Sequence, residues 1–449
     1  MDREAFINAL KARAVQRGVA GEVCFEAGSS FEVEVKDGAL LQYNVSDSVG
    51  LGFRVLKDGR TGTASTQILD DEALDQLVDG ALENAALVES KDEQFMYPGD
   101  AYYPELNLYN PAIDAMPAAV KIDMARRLEA LALARDPRVV RVESCMVFST
   151  TGERLLTNTL GLDVSTKSSL LGVYVSVVAQ AGDQVNTGGK LCFAMNPDEI
   201  DLDAVAAAAV KEAVDGLGGR PVASGRYRVL LRNDVAGTLL RTFCGIFSAD
   251  NAQRGLSRLK GLEGSDVAAP CVTLMDDPHR PGSAASAPFD GEGVATRTKA
   301  VIEGGRLNTL LHNLKTAKKQ GVETTANTAR GSYAAPVGIA PSNFFFAPSD
   351  TDFEAMLRQT GDGLLITDLQ GMHAGANAIT GDFSLAARGF RVTGGRLAQA
   401  VSQITVAGNF YQLLRDIEAV GADLDFRAPG VSCVGSPSIL VSALSVAGS

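Results

Sequence analysis

A chain of 449 residues is too long for one hydrophobic core of ordinary size, so two or three packed units are expected. With 46% hydrophobic and 21% charged residues and no low-complexity tract, it reads as a folded globular protein. The formal net charge of −13, with no basic cluster denser than Lys315 to Lys319, excludes a nucleic-acid or anionic-lipid surface of the usual kind.

The chain opens with an amphipathic helix that carries Phe6, Ile7, Leu10 and Ala14 on one face. Strand signals follow: Phe31, Val33 and Val35 alternate with charged residues up to an Asp37-Gly38 turn, and Asp58-Gly59 offers a second hairpin. Leu74, Leu77, Val78, Ala81, Leu82 and Ala85 then form one helical stripe, closing a unit over residues 1–91. Residues 92–117, with four prolines, read as a connector. The same order returns over 118–219: a helix near 118–134, strand-like runs across 138–194, and a helix with Leu202, Val205, Ala206, Ala209 and Val210 in register. This suggests a repeated helix–strands–helix arrangement. From 220 to 449 the pattern becomes short strands broken by glycine and proline, with Gly304-Gly305 and Gly394-Gly395 as hairpin turns. One helix is expected near 234–247 and another from Phe410 to Ala419, capped by Asn409 and closed by Gly421. The fold class is α+β, its second half a curled, mainly antiparallel β-domain with few helices.

The start, Met1-Asp2-Arg3-Glu4, lacks the charged and apolar regions of a secretory leader. No apolar run reaches membrane-spanning length either, so a cytoplasmic protein with no membrane partner is expected. Cys24, Cys145, Cys192, Cys244, Cys271 and Cys433 are widely spaced, without a Cys-x-x-Cys pair, and read as reduced buried thiols.

Several blocks in the second half carry a resemblance. They are Thr380-Gly381-Asp382-Phe383-Ser384, Ala387-Arg388-Gly389-Phe390, Thr405-Val406-Ala407-Gly408-Asn409 and Ile417-Glu418-Ala419-Val420-Gly421-Ala422-Asp423-Leu424. Pro288-Phe289-Asp290-Gly291-Glu292-Gly293 and Ala317-Lys318-Lys319-Gln320-Gly321 agree with the same pattern. Together they resemble the TldD/PmbA family, and most closely its TldE (PmbA)-like branch. Asn377-Ala378 stands where that family often has Asn-Pro, and Ala422 where it often has Asn.

The TldD branch of this family carries LHExxGH on a helix, with a downstream Cys completing a zinc site. The matching stretch here is Leu240-Arg241-Thr242-Phe243-Cys244-Gly245-Ile246. Arg241 and Ile246 stand in place of the two histidines and Thr242 in place of the general base; Gly245 is kept. Arginine stays charged and offers no lone pair, and isoleucine has no ligand atom. His279, His312 and His373 are the only histidines, far apart and in no HExxH or HxH pair. The expectation is therefore no catalytic residue, no metal and no cofactor. Cys433, where the resemblance would put the ligand Cys, reads as an ordinary thiol.

His373 and Asn377 sit in a glycine-rich loop, followed by Thr380, Gly381 and Asp382; these suit turns and caps, with a lining of a substrate channel as the alternative. The resemblance implies a non-catalytic subunit that pairs with a TldD-like zinc metallopeptidase acting on unfolded or extended peptides. Two alternatives remain: a stand-alone peptidase or hydrolase with an unrecognised site, and a homodimeric peptide-binding scaffold formed in isolation.

Overall fold

The computed structural model describes residues 1–89, 92–426 and 430–449. The two helix–strands–helix runs build one six-stranded antiparallel sheet. Its order is 60–66, 39–57, 20–36, 139–158, 163–181, 184–194, so that Ala20–Lys36 and Val139–Asn158 join the repeats at the centre.

The side-chain alternation of the central strand explains how this sheet is used. Val23, Phe25, Phe31, Val33 and Val35 point to one face and are buried. There Val23 and Phe25 pack with the helices Arg3–Gln16 and Asp71–Ala86. Phe31, Val33 and Val35 pack with Ala118–Ala134 and Leu202–Asp215. The residues between them, Glu22, Cys24 and Glu26, point to the other face, against the second half of the chain.

That second half is built around a closed set of strands. Gly225–Leu231, Gly363–Gln370, Asp382–Thr393, Arg396–Asn409 and Ile439–Ala447 pair in a ring, because 396–409 also bonds to 439–447. A second sheet contains Leu274–Asp276, Lys299–Glu303, Asn343–Phe346 and Cys433–Ser436. Most pairings are antiparallel, the exceptions being 343–346 with 433–436 and 363–370 with 225–231. The helix Asn233–Phe243 lies in the shared core, with Leu239, Leu240 and Phe243 buried and the Phe243 ring stacked on Phe410 at 4.7 Å. The class is α+β, as the sequence implies. No helix among the described residues is long and apolar enough to cross a membrane.

One element differs from expectation. The helix after Asn409 ends at Asp416, and Ile417–Val420 is a strand paired with Ile439–Val441. Asn409 does cap the helix, accepting from the Gln412 amide. Ile417 and Val420, both β-branched and buried, pack into the main core once the backbone extends; tertiary burial overrides the helical pattern there.

Candidate functional site

The helix Asn233–Phe243 is fixed at its start by Arg232. Its guanidinium donates to Asp234 (2.7 Å), to Glu212 of the first half (2.8 Å) and to the Thr367 carbonyl (2.8 Å). At its end the α-helix tightens into a 3-10 turn over Cys244–Phe247. The tightening advances each residue by about 120° instead of about 100°, which sets positions 241 and 246 on roughly opposite sides of the axis. Arg241 accordingly is exposed, whereas Ile246 is 1% exposed within the core. Thr242 turns its hydroxyl back to the Thr238 carbonyl at 2.8 Å. Gly245 has modest room, the nearest atom to an added Cβ being Asn251 Nδ2 at 3.4 Å, while its carbonyl accepts from that same amide.

Arg241 faces a cleft of about 830 Å³ between the two halves. One wall is the edge strand Gln184–Ala194, and the other includes Thr238, Leu365 and Phe426. Cys433, on the strand beside this helix, lies within the electrostatic reach of Arg241 and Arg280. Burial still dominates and pushes its thiol up to about 11, so it is neutral near pH 7 and not a ready thiolate ligand. Burial likewise raises the Cys244 thiol against the pull of Arg241.

The structure thus brings Arg241 and Cys433 together, but around them the zinc chemistry does not fit. Arg241 and Ile246 present no ligand atom, and among the described residues no group of three His, Cys, Asp or Glu could hold a metal. His312 is buried, and that burial lowers its pKa; His279 Nε2 lies 3.0 Å from the Thr296 hydroxyl. No catalytic step through a metal follows from these residues.

The glycine-rich loop lies elsewhere. His373 is exposed on the short helix Met372–Gly375. Asn377 Oδ1 accepts from the amides of Ile379 (3.0 Å) and Thr380 (3.1 Å), and the Thr380 carbonyl accepts from Asn409 Nδ2 (2.9 Å). Asp382 accepts from the same Asn409 amide at 2.8 Å. Gly381 has φ +83°, and a Cβ there would come within 2.6 Å of the Tyr411 ring. The geometry is that of a turn locked to a helix cap, and none of these residues lines the cleft around Arg241.

Sequence reading missed a buried ionic cluster at the junction of the halves. Glu22 accepts from Arg54 (2.8 Å) and Arg330 (2.8 Å), and Arg54 also approaches Glu292 at 3.7 Å. Glu292 further accepts from Thr328 Oγ1 (2.7 Å) and the Leu314 amide (3.1 Å). No local signal could reveal it, since its members come from four distant segments.

A six-stranded sheet of two repeated units, docked on a curled β-domain with a central helix, is the three-part arrangement of a metallopeptidase family. The chain belongs to the PmbA/TldD family. Residues 21–85 match the model of PmbA/TldA metallopeptidase domain 1, residues 111–217 the central domain and residues 224–448 the C-terminal domain. The chain is 28% identical to the metalloprotease PmbA of Escherichia coli O157:H7, over 95% of this chain and 92% of that protein. It is likewise 28% identical to a PmbA homolog of Haemophilus influenzae, over 97% and 94%. Among solved structures, a candidate modulator of a DNA gyrase from Thermotoga maritima superposes with a TM-score of 0.92 at 35% identity, over 99% of this chain and 100% of that one. TldE from Thermococcus kodakarensis shares the fold, with a TM-score of 0.90 at 20% identity over 99% and 100%.

Proposed function

We propose that this chain is a TldE-like, metal-free subunit that pairs with a TldD-like zinc metallopeptidase and helps it to degrade or mature unfolded peptides in the cytoplasm. The observation that carries the reading is the end of the helix Asn233–Phe243. At the positions that hold zinc in the TldD branch, one residue is a cation and another is sealed in the core, so a single rotamer change cannot rebuild the site.

A second observation supports a partner chain. In the strand Ala39–Lys57, only residues 51–57 pair with 60–66, so residues 39–50 have one bonded neighbour strand among the described residues. Tyr43, Val45 and Val49 project from one face of this open edge, with Leu41 at the register shift beside them, and all four are exposed. A long apolar edge is a template for pairing, and monomeric proteins usually blunt it.

The test is reconstitution with a TldD-like chain from the same genome that carries HExxxH. Co-elution of the two, with chelator-sensitive cleavage of an unfolded peptide by the pair and none by this chain alone, is expected. Substituting Leu41→Lys and Val45→Lys together should abolish co-elution while leaving this chain folded. Chelator-sensitive cleavage by this chain alone, with about one zinc per chain after dialysis, would favour a stand-alone peptidase and overturn the reading.

A further inference from the structure

The ionic cluster at the junction of the halves leaves part of its hydrogen-bonding capacity unused. Arg54, on the strand Ala39–Lys57 of the first half, donates from Nη2 to one Glu22 oxygen at 2.8 Å. Arg330 of the second half donates from its own Nη2 to the other oxygen, also at 2.8 Å. Three further donors, Arg54 Nε, Arg54 Nη1 and Arg330 Nε, are buried and have no hydrogen-bond partner among the described residues. Both arginines are more than nine-tenths buried, at 3% and 6% exposure. One acceptor of the second half stands just out of reach: Glu292 Oε1 lies 3.7 Å from Arg54 Nη1. Both side chains are held in place on either side of that gap. Glu292 Oε2 accepts from the Thr328 hydroxyl (2.7 Å) and the Leu314 amide (3.1 Å), and Arg54 is anchored to Glu22.

We propose that this cluster is a buried water site: an ordered water accepts from Arg54 Nη1, donates to Glu292 Oε1 and so joins the two halves, with further waters on the two Nε donors. A separation of 3.7 Å is too long for a direct hydrogen bond, yet two legs of about 2.8 Å meet over it in a bent bridge. Buried guanidinium donors nearly always find a partner in protein or ordered water, and here the protein supplies none among the described residues. There is also space beside the pair. The Arg54 and Glu292 side chains keep 4% and 3% of their surface, so a water-sized sphere already touches both, whereas Glu22 keeps none. Charge decides against an anion in the same place. Arg54 and Arg330 are already balanced by Glu22 and Glu292, and a halide would add a buried, unpaired negative charge next to the Glu292 carboxylate. A water answers both sides of the gap, because it accepts from the cation and donates to the carboxylate. The seam then has an exchangeable member where a direct ion pair does not form. The inference does not depend on subunit pairing, since every residue invoked belongs to this chain.

The test is a crystal structure of the full chain that resolves ordered water, with a second crystal soaked in bromide. Density for a water about 2.7–3.2 Å from both Arg54 Nη1 and Glu292 Oε1 is expected, with no anomalous bromide peak there. A direct Arg54–Glu292 hydrogen bond with nothing between the two groups, an empty gap, or bromide in the site would each overturn the proposal. A solution measurement adds a second check that needs no crystal. Oxygen-17 relaxation dispersion counts the long-lived buried waters of the wild-type chain and of Arg54→Met, which keeps a side chain of similar length but removes the donors. The variant should hold at least one fewer such water than the wild type, and an unchanged count in a folded Arg54→Met chain would also overturn the proposal. Should the variant not fold, the wild-type crystals alone decide the outcome.

Discussion

Two buried carboxylates near the junction of the halves respond to pH with opposite sign. Burial works against the charged form of Glu22, but Arg54 and Arg330 outweigh it and hold the carboxyl below its usual range. Its contribution is present at neutral pH and is lost as pH falls through that lowered value. Asp290 is pushed up to about 7, by burial first and then by the charge of Glu292, even though the amides of Glu292, Val294 and Thr328 all donate to it. Between the ordinary carboxylate range and pH 7 the folded chain therefore binds more proton at Asp290 than the unfolded chain does, and stability falls as pH rises. The slope from one such group is at most about 1.4 kcal/mol per pH unit. Asp290→Asn should lower stability by about 1 kcal/mol near pH 5, because its amide nitrogen cannot accept from the Thr328 N–H, and by less as pH rises toward 7. It should also flatten the slope between pH 5 and 7. Urea unfolding at three pH values across that range measures both quantities. An unchanged slope would mean that Asp290 stays ionised throughout.

At the scale of the element, the helix Asn233–Phe243 and its 3-10 extension decide what the degenerate motif can become. Arg241→His changes an exposed residue and should leave stability within about 0.5 kcal/mol. Ile246→His puts an imidazole into an apolar core without a partner and should cost roughly 2–4 kcal/mol. The triple change Arg241→His, Thr242→Glu, Ile246→His should then give a destabilised chain with no tight zinc, because the two imidazoles leave opposite sides of the axis. Thermal melts and zinc titration by calorimetry check this, and submicromolar zinc binding by the triple variant would show the helix able to rewind. Much of this helix was legible in advance: its apolar stripe, its motif and the cation at position 241 can all be read from neighbouring residues. The inward turn of Ile246 was not, because the switch from α to 3-10 geometry depends on how Cys244–Phe247 packs. Ile417–Val420 failed for a related reason, its helical periodicity losing to a strand partner near Ile439 that sequence cannot supply. The cleft was the least legible part, since Lys190 of the first half and Arg241 of the second line it together only after both halves have folded.

At the scale of the whole molecule, the question is whether the halves behave as one cooperative unit. The contacts between them combine an apolar cluster of Cys24, Leu156, Leu162 and Phe289 with tightly fitted polar bonds. Arg330 reaches Glu22 at 2.8 Å, the Tyr333 amide donates to Glu26 at 3.0 Å, and Tyr103 of the proline-rich segment donates to the Gly293 carbonyl at 2.7 Å. Between these bonds the strand Ala39–Lys57 runs directly against the 331–335 loop. A Cβ at Gly52 would sit 1.8 Å from the Tyr333 carbonyl oxygen, and one at Gly50 would meet the Tyr333 ring at 2.0 Å. Gly52 is needed for contact between backbones and Gly50 for seating the Tyr333 ring, rather than either for an unusual φ. Breaking one partner of the buried Glu22 ion pairs typically costs about 3–5 kcal/mol, so the ionic cluster and the close backbone approach should lock the halves thermodynamically. The wild-type chain is therefore expected to melt in a single calorimetric transition despite its length. Gly52→Val must push the loop away, exposing Glu22, Arg54 and Arg330 to water together. It should split the melt into two transitions, the sheet with its helices separating from the C-terminal β-domain. Gly338→Ala is the control, because a Cβ there meets nothing within 4 Å and should leave the melt unchanged. One wild-type-like transition from the Gly52→Val chain would show that the halves are held by something other than this seam.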